Sequence, residues 1–272
     1  MLLHTLSLSL KEIKDSYFLE LKPDYPLTKA RREFRKYAPR IALVTDERQL
    51  LSGIIYRATI ITLTSTKSNL YVRSLMERPK ILVESLDNAP TTLKLMVDED
   101  EWTVPLINKD GNPTGTISLE AFIRWIYGNR LLKEKLSKNK VSEVMSSTNL
   151  IYVTQDNAIS HTIRKLVKEK FAGLPVVDSK LKCIGILTQY DILRKRSSGI
   201  VLDSESGPAR NVKVKEIMST PAITVKPSQD LWRLIEIMAS TGFGRIPVTE
   251  EHSKLVGIID RSDITRFILE DT

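Results

Sequence analysis

The apolar positions of this chain alternate between a helical period and short continuous runs. Leu231, Leu234, Ile235 and Met238 recur at i, i+3, i+4 and i+7 behind Pro227 and a capping Ser228, one apolar helix face with a start signal. Ile159, Ile163, Leu166 and Val167 repeat the pattern behind Asp156, and Gly173 and Gly242 stand where glycine commonly ends a helix. Between such helices lie short apolar strands. Leu174-Pro175-Val176-Val177 is one, and ten residues after Pro175 comes Gly185-Ile186-Leu187-Thr188-Gln189-Tyr190-Asp191, a strand that stops at a hydroxyl residue where a second helix should begin. Each block therefore reads strand, helix, strand, strand, helix, and the two later strands form a hairpin. Lys109-Asp110-Gly111-Asn112-Pro113 gives one hairpin strong turn chemistry.

The block repeats. Val72 to Met76, Val141 to Met145 and Val214 to Met218 share Val-x-[Ser or Glu]-h-Met, where h is apolar, and Pro105, Pro175 and Pro247 each precede a glycine (Gly115, Gly185, Gly257) by ten residues. A weaker copy opens the chain: Leu19-Glu20-Leu21-Lys22-Pro23 is similar to Ile223-Thr224-Val225-Lys226-Pro227, and Ile41-Ala42-Leu43-Val44 leads to Gly53-Ile54-Ile55, with Ala42 in the proline position. The expected architecture is α/β (α+β), with four repeats at about 12–66, 70–130, 139–197 and 212–271. They group as an N-terminal pair in 1–134 and a C-terminal pair in 135–272. Residues 60–71 are rich in Thr and Ser, 130–140 are Lys-rich, and 196–212 form a join long enough to be functional or mobile.

Composition removes several function classes. No apolar run approaches the roughly 18 to 20 residues of a membrane span. The apolar opening from Met1 to Leu10 has neither a basic leader nor a small-residue cleavage site, so the protein is expected in the cytoplasm. The single cysteine, Cys183, excludes an intrachain disulfide and reads as a buried bystander, and His4, His161 and His252 lack metal spacing. There is no P-loop, Gly-x-Ser-x-Gly or His/Cys dyad, and Gly242-Phe243-Gly244 is a helix end followed by a strand, so no enzyme is expected. The net charge of +8 suits polyanions. Residues 22–40 concentrate it: Lys22, Lys29, Arg31, Arg32, Arg35, Lys36 and Arg40 are interleaved with Tyr25, Phe34 and Tyr37. Arg31, Arg32, Arg35 and Lys36 could track the phosphates of RNA or DNA, or form the solvated side of the first helix.

Together, Val-x-x-h-Met, h-Pro-Val and Gly-h-h-[Ser or Thr]-x-x-Asp resemble tandem CBS (cystathionine β-synthase) domains over about residues 12–271. The resemblance implies that repeats pair through their sheets into modules and that two modules stack into a flat disc, as in the regulatory subunit of the AMP-activated kinase. It also implies that adenosine-containing ligands bind between paired repeats. Asp191 would then accept hydrogen bonds from vicinal ribose hydroxyls, and Thr188 with the free N–H groups of the helix start would suit a phosphate. The residues alone leave another reading open, since Thr-x-x-Asp before a helix is also a capping box.

In the fourth repeat Asp263 is kept but Asp260 replaces the hydroxyl residue and would repel phosphate. Arg245, in Gly244-Arg245-Ile246-Pro247, resembles the basic position of a nucleotide-binding signature and would contact phosphate, or is a surface arginine. Ile151, Leu174, Pro175, Ile223, Ile246 and Pro247 would line an adenine slot or pack in the core. The second repeat has Ser118 but Ala121, and the first Tyr56 and Thr59, so the N-terminal pair is expected to have lost standard nucleotide binding or to bind something else. The resulting expectation is a stand-alone sensor binding AMP, ADP, ATP or S-adenosylmethionine in the C-terminal pair, with no catalytic cofactor and no membrane. Ligand would shift the repeats or order the 196–212 join, and an unidentified partner protein would read the change. A homodimer is the other way to complete a disc, and a nucleic-acid-binding protein using the basic N-terminal face is the alternative function.

Overall fold

The structure, a computed structural model, describes residues 8–63, 70–130, 132–195 and 212–270. The join at 196–212, except Val212, lies outside the described residues, as do residues 1–7 and 64–69.

Each repeat has its first strand parallel to the middle one, which then pairs in an antiparallel hairpin. The first repeat comprises β2 (Leu19–Leu21), α1 (Leu27–Tyr37), β3 (Ile41–Thr45), β4 (Leu51–Tyr56) and α2 (Arg57–Ile61), preceded by β1 (Lys14–Asp15). The second comprises β5 (Val83–Glu84), α3 (Ala89–Asp98), β6 (Thr103–Ile107), β7 (Pro113–Ser118) and α4 (Leu119–Asn129), with α5 (Lys133–Lys138) after it. β8 (Val153–Thr154), α6 (Ile159–Lys168), β9 (Gly173–Val177), β10 (Cys183–Thr188) and α7 (Gln189–Lys195) form the third. The fourth has α8 (Leu231–Thr241), β11 (Arg245–Thr249), β12 (Leu255–Asp260) and α9 (Arg261–Glu270), its first strand reduced to a parallel bridge from Val225 to Val248. All four hairpins carry a bulge just before Gly53, Gly115, Gly185 and Gly257, so the first repeat follows the common plan despite Ala42.

Some helix ends differ from expectation. Asp230, whose carboxylate accepts the Arg233 N–H at 2.9 Å, caps α8, and Ser228 lies in the turn before it. Asp156 instead meets Lys215 Nζ at 2.9 Å, and Ala158 is the residue that precedes α6. Gly242 ends α8 in the left-handed region (φ 73°) as expected, but α6 ends at Lys168, Lys170 takes the left-handed turn (φ 54°), and Gly173 opens β9. Here several polar residues compete at one turn, and the choice is made by where the strand must end.

A 3₁₀ turn precedes every repeat: Leu10–Glu12, Val72–Ser74, Val141–Glu143 and Val214–Glu216. The first is a fourth copy of Val-x-x-h-Met, written Leu10-Lys11-Glu12-Ile13-Lys14. After each turn the chain crosses the hairpin of a neighbouring repeat. Ser219 and Ile186 exchange two backbone hydrogen bonds of 2.9 Å, as do Ser146 and Ile258, and Glu77 and Ile54 do so at 2.8 Å. β1 crosses β7 in the same place, with Asp15 opposite Thr116. A Cβ on Gly185 would lie 2.8 Å from the Ser219 carbonyl, and one on Gly115 2.8 Å from the Asp15 carbonyl, so these crossings need glycine.

The crossings join the first repeat to the second and the third to the fourth. Helices join them the other way. Phe34, Ile60 and Ile61 share one core with Ile163, Leu166, Ile192 and Leu193, while Leu93, Phe122 and Ile126 share another with Leu234, Ile235, Ile264 and Ile268. Each core therefore holds residues from both halves of the chain. No helix among the described residues is long and apolar enough to cross a membrane. Phe122 is fully buried, and Phe122→Ala is expected to cost about 3–5 kcal/mol. Calorimetry should show one unfolding transition moved down as a whole, whereas an unmoved second transition would mean that the halves unfold independently.

Candidate functional site

A cavity of about 900 Å³ lies where the four repeats meet. The residue just before the middle-strand triad reaches it from every repeat: Arg40, Thr103, Gly173 and Arg245. The first and fourth repeats also begin their second helices with arginine: Arg57 lines the cavity with Arg40, Arg245 and, from the second repeat, Arg124, while Arg261 stands at the matching position behind the lining. Three of the five are neutralised, Arg124 by Asp15 (2.8 Å) and Glu120 (3.0 Å). Arg245 donates to Asp260 Oδ2 through Nη2 (2.6 Å) and Nε (3.3 Å), and Arg261, 1% exposed, donates to Glu120 Oε2 (2.8 Å) and the Gly242 carbonyl (2.7 Å). The other two have no ion pair among the described residues. Arg57, 8% exposed, donates to the Ala38 carbonyl at 3.1 Å, and burial pushes its pKa down to about 10. Half-buried Arg40 stands 4.4 Å over the Trp102 ring. Desolvation, then the charges of Arg57 and Arg261, hold its pKa well below the usual range. The Glu120 carboxylate acts on both only at a distance, and a desolvated cation with no carboxylate paired to it is unfavourable unless an anion joins it.

Thr188 ends β10 and Asp191 lies in the first turn of α7. Their capping box is formed: Thr188 N–H and Oγ1 donate to Asp191 Oδ2 (2.9 and 2.5 Å), and Asp191 N–H donates to Thr188 Oγ1 (3.1 Å). Ser219, brought by the crossing linker, donates to Asp191 Oδ1 at 2.7 Å. That oxygen keeps acceptor capacity beyond this single bond, so the same carboxylate that caps the helix can receive a ligand hydroxyl. Thr188, Asp191, Ser219, Ile223 and Arg245 all line the cavity.

The remaining expected residues sit elsewhere. Leu174, Pro175, Ile246 and Pro247 are buried within β9 and β11, and Ile151 packs half-buried against the core of the first and third repeats. Asp263 lies behind Asp260 and accepts its N–H at 2.8 Å, while Asp260 Oδ1 caps α9 through Ser262 N–H (3.0 Å) and Oγ (2.5 Å). On α1, Arg32 and Lys36 are exposed, but Arg31 and Arg35 are half-buried, and Arg31 donates to the Leu63 carbonyl at 2.9 Å. Arg40, counted above with the basic surface, turns inward. Sequence offered a signal for it: Arg40 precedes Ile41-Ala42-Leu43 as Arg245 precedes Ile246-Pro247-Val248.

Burial and then the neighbouring Asp260 charge push the Asp263 pKa up to about 7. The folded state thus holds a proton that the unfolded chain releases near pH 4, so stability falls as pH rises from about 4 to 7 and levels off above. Asp263→Asn keeps an acceptor for the Asp260 N–H and removes the charge. Urea midpoints from pH 5 to 8 should show wild type losing stability relative to the variant, and parallel curves would refute the assignment.

A sequence model of the CBS domain matches residues 72–128, 141–198 and 214–270. It finds three domains where the sequence pattern predicts four, because the first repeat keeps the strand order but few of the motif residues. Protein MJ1225 of Methanocaldococcus jannaschii is 26% identical over 200 residues, covering 72% of this chain and 69% of that protein. MJ1404 of the same organism is 25% identical over 268 residues, covering 96% and 62%. The chain thus spans about two thirds of the length of these relatives. The crystal structure of MJ1225 has the same fold, with a TM-score of 0.86 at 20% identity, covering 96% of this chain and 100% of that one. Three matched domains over more than half its length establish that the chain belongs to the CBS domain family.

Proposed function

We propose that this chain is a stand-alone cytoplasmic sensor in which four repeats, paired within 1–134 and 135–272, form one disc around an adenine-nucleotide site. Asp191 accepts ribose hydroxyls, Thr188 and Ser219 hold that carboxylate in place, and Ile223 supports the base. The observation that carries the reading is the pair Arg40 and Arg57, cations with no ion pair among the described residues, at the cavity shared with Thr188 and Asp191. Their charge favours AMP, ADP or ATP over S-adenosylmethionine, whose sulfonium is itself cationic. A cavity of this size is within the range of small-molecule sites. The lone thiol, Cys183, is buried with its pKa pushed up to about 11, which suits a packing role rather than a nucleophile. Ligand touching the first, third and fourth repeats together would bias their arrangement, and a partner protein would read a coupling of typically about 1–3 kcal/mol.

Thermal unfolding with each of AMP, ADP, ATP and S-adenosylmethionine tests this. A ligand at about 100 times its Kd adds roughly 2.7 kcal/mol, a rise of about 5–10 °C for a chain of this size. The rise should shrink in Asp191→Ala measured against its own ligand-free melting point, and an undiminished rise would take the ligand away from this carboxylate. No rise with any of the four would leave Thr188 and Asp191 as a helix cap.

A further inference from the structure

The second repeat reaches the same cavity from diagonally across the ring. Ser118 stands in the Thr188 position and caps α4, accepting the Ala121 N–H at 3.1 Å, but Ala121 occupies the place of Asp191. A carboxylate is present there all the same. Asp15 on β1 accepts the Ser118 hydroxyl at Oδ2 (2.6 Å), as Asp191 accepts that of Thr188, and takes Arg124 Nη2 at Oδ1 (2.8 Å). Asp15 arrives by the same crossing that brings Ser219 to Asp191, since it lies opposite Thr116 on β7 as Ser219 lies opposite Ile186 on β10. It therefore has the chain position of Ser219 and the chemistry of Asp191.

The surroundings fit one class of ligand. Each Asp15 oxygen accepts a single hydrogen bond and keeps a lone pair, and its side chain is 31% exposed toward the cavity it lines. Tyr17 and Tyr37, exposed and with ring centroids 5.6 Å apart, line the same cavity, with Lys36 Nζ 4.6 Å over the Tyr37 ring, and Lys14 adds positive charge beside Arg124, which Asp15 and Glu120 already pair. A carboxylate with free acceptor capacity suits a vicinal diol, an aromatic pair suits a base, and Lys14 suits an anionic group. We propose that the cleft of the second repeat is a second ribonucleotide site whose diol acceptor is Asp15, supplied from outside the repeat by the segment preceding the first. The N-terminal pair then keeps the function that Ala121 alone would deny it. This rests on the reading that the cavity takes nucleotides.

Isothermal titration of the full chain with AMP, ADP and ATP in turn separates the two ideas. Two sites are expected in wild type, one in Asp191→Ala, and none when Asp15→Asn is added, with the ligand-free melting point of Asp15→Asn confirming the fold. Ser118→Ala should also weaken the site remaining in Asp191→Ala. In that background 2′-deoxyadenosine monophosphate should bind about tenfold more weakly than AMP, because the Asp15 carboxylate loses one of the two ribose donors. A single wild-type site that Asp191→Ala abolishes overturns this proposal and leaves the first intact. A residual site indifferent to Asp15→Asn overturns it too. No binding of any of the three overturns both, while a site lost with Asp15→Asn but kept in Asp191→Ala supports this one and removes the first.

Discussion

The centre of the molecule depends on four places where one backbone passes over another. At each, a linker residue exchanges hydrogen bonds with a hairpin of the neighbouring repeat, over a glycine that leaves no room for a Cβ. The contact saturates an otherwise open strand edge, and it fixes what the linker's side chain touches. Ser219 is held against Asp191 and Asp15 against Ser118 because their backbones are held at Ile186 and Thr116. Pairing of repeats and construction of the site are thus one event. The apolar linker turns serve the same end, since Ile13, Val72, Val141 and Val214, all fully buried, anchor each crossing in a core.

The second layer of organisation is the helix packing that joins repeats across the two halves. Because α1 and α2 pack on the third repeat, and α3 and α4 on the fourth, the ends of all four middle strands meet at one cavity. Arg40 and Arg57 come from one half of the chain, while Arg245 and Arg261 come from the other. Their partners are also mixed: Asp260 holds Arg245 within the fourth repeat, but Glu120, which holds Arg261, belongs to the second. A change of relative position between repeats would alter these ion pairs directly, which is how a ligand at the centre could act at a distance.

Much of this was legible in the sequence where geometry admits few residue types. The ten-residue step from proline to glycine is visible because only glycine passes under the crossing linker, and the apolar period of Leu231, Leu234, Ile235 and Met238 because one helix face must be buried. Other features were hidden for physical reasons. Lys14 replaces methionine in the first linker turn, so that turn did not register with the other three. Arg40 lies in a run of basic residues and read as surface, although its strand position equals that of Arg245. Asp15 could not be matched to Ser118 at all, because the two are 103 positions apart and meet only through a strand pairing.

The first repeat then makes physical sense as something other than a decayed copy. Its departures fall at Ala42, Tyr56 and Thr59, whereas its two arginines stand at the same positions as those of the fourth repeat. Tyr56 is occupied with Glu101, whose two carboxylate oxygens it meets at 3.2 Å, a contact that ties the first repeat to the second. Arg40 and Arg57 have no such partner among the described residues, and desolvation works against both. Selection for stability alone would pair them directly or replace them with apolar side chains, since a desolvated charge without an ion-pair partner is costly. Ionisable groups held in an unfavourable environment tend to mark working sites. On that ground the repeat that resembles its neighbours least contributes the electrostatic centre the others surround.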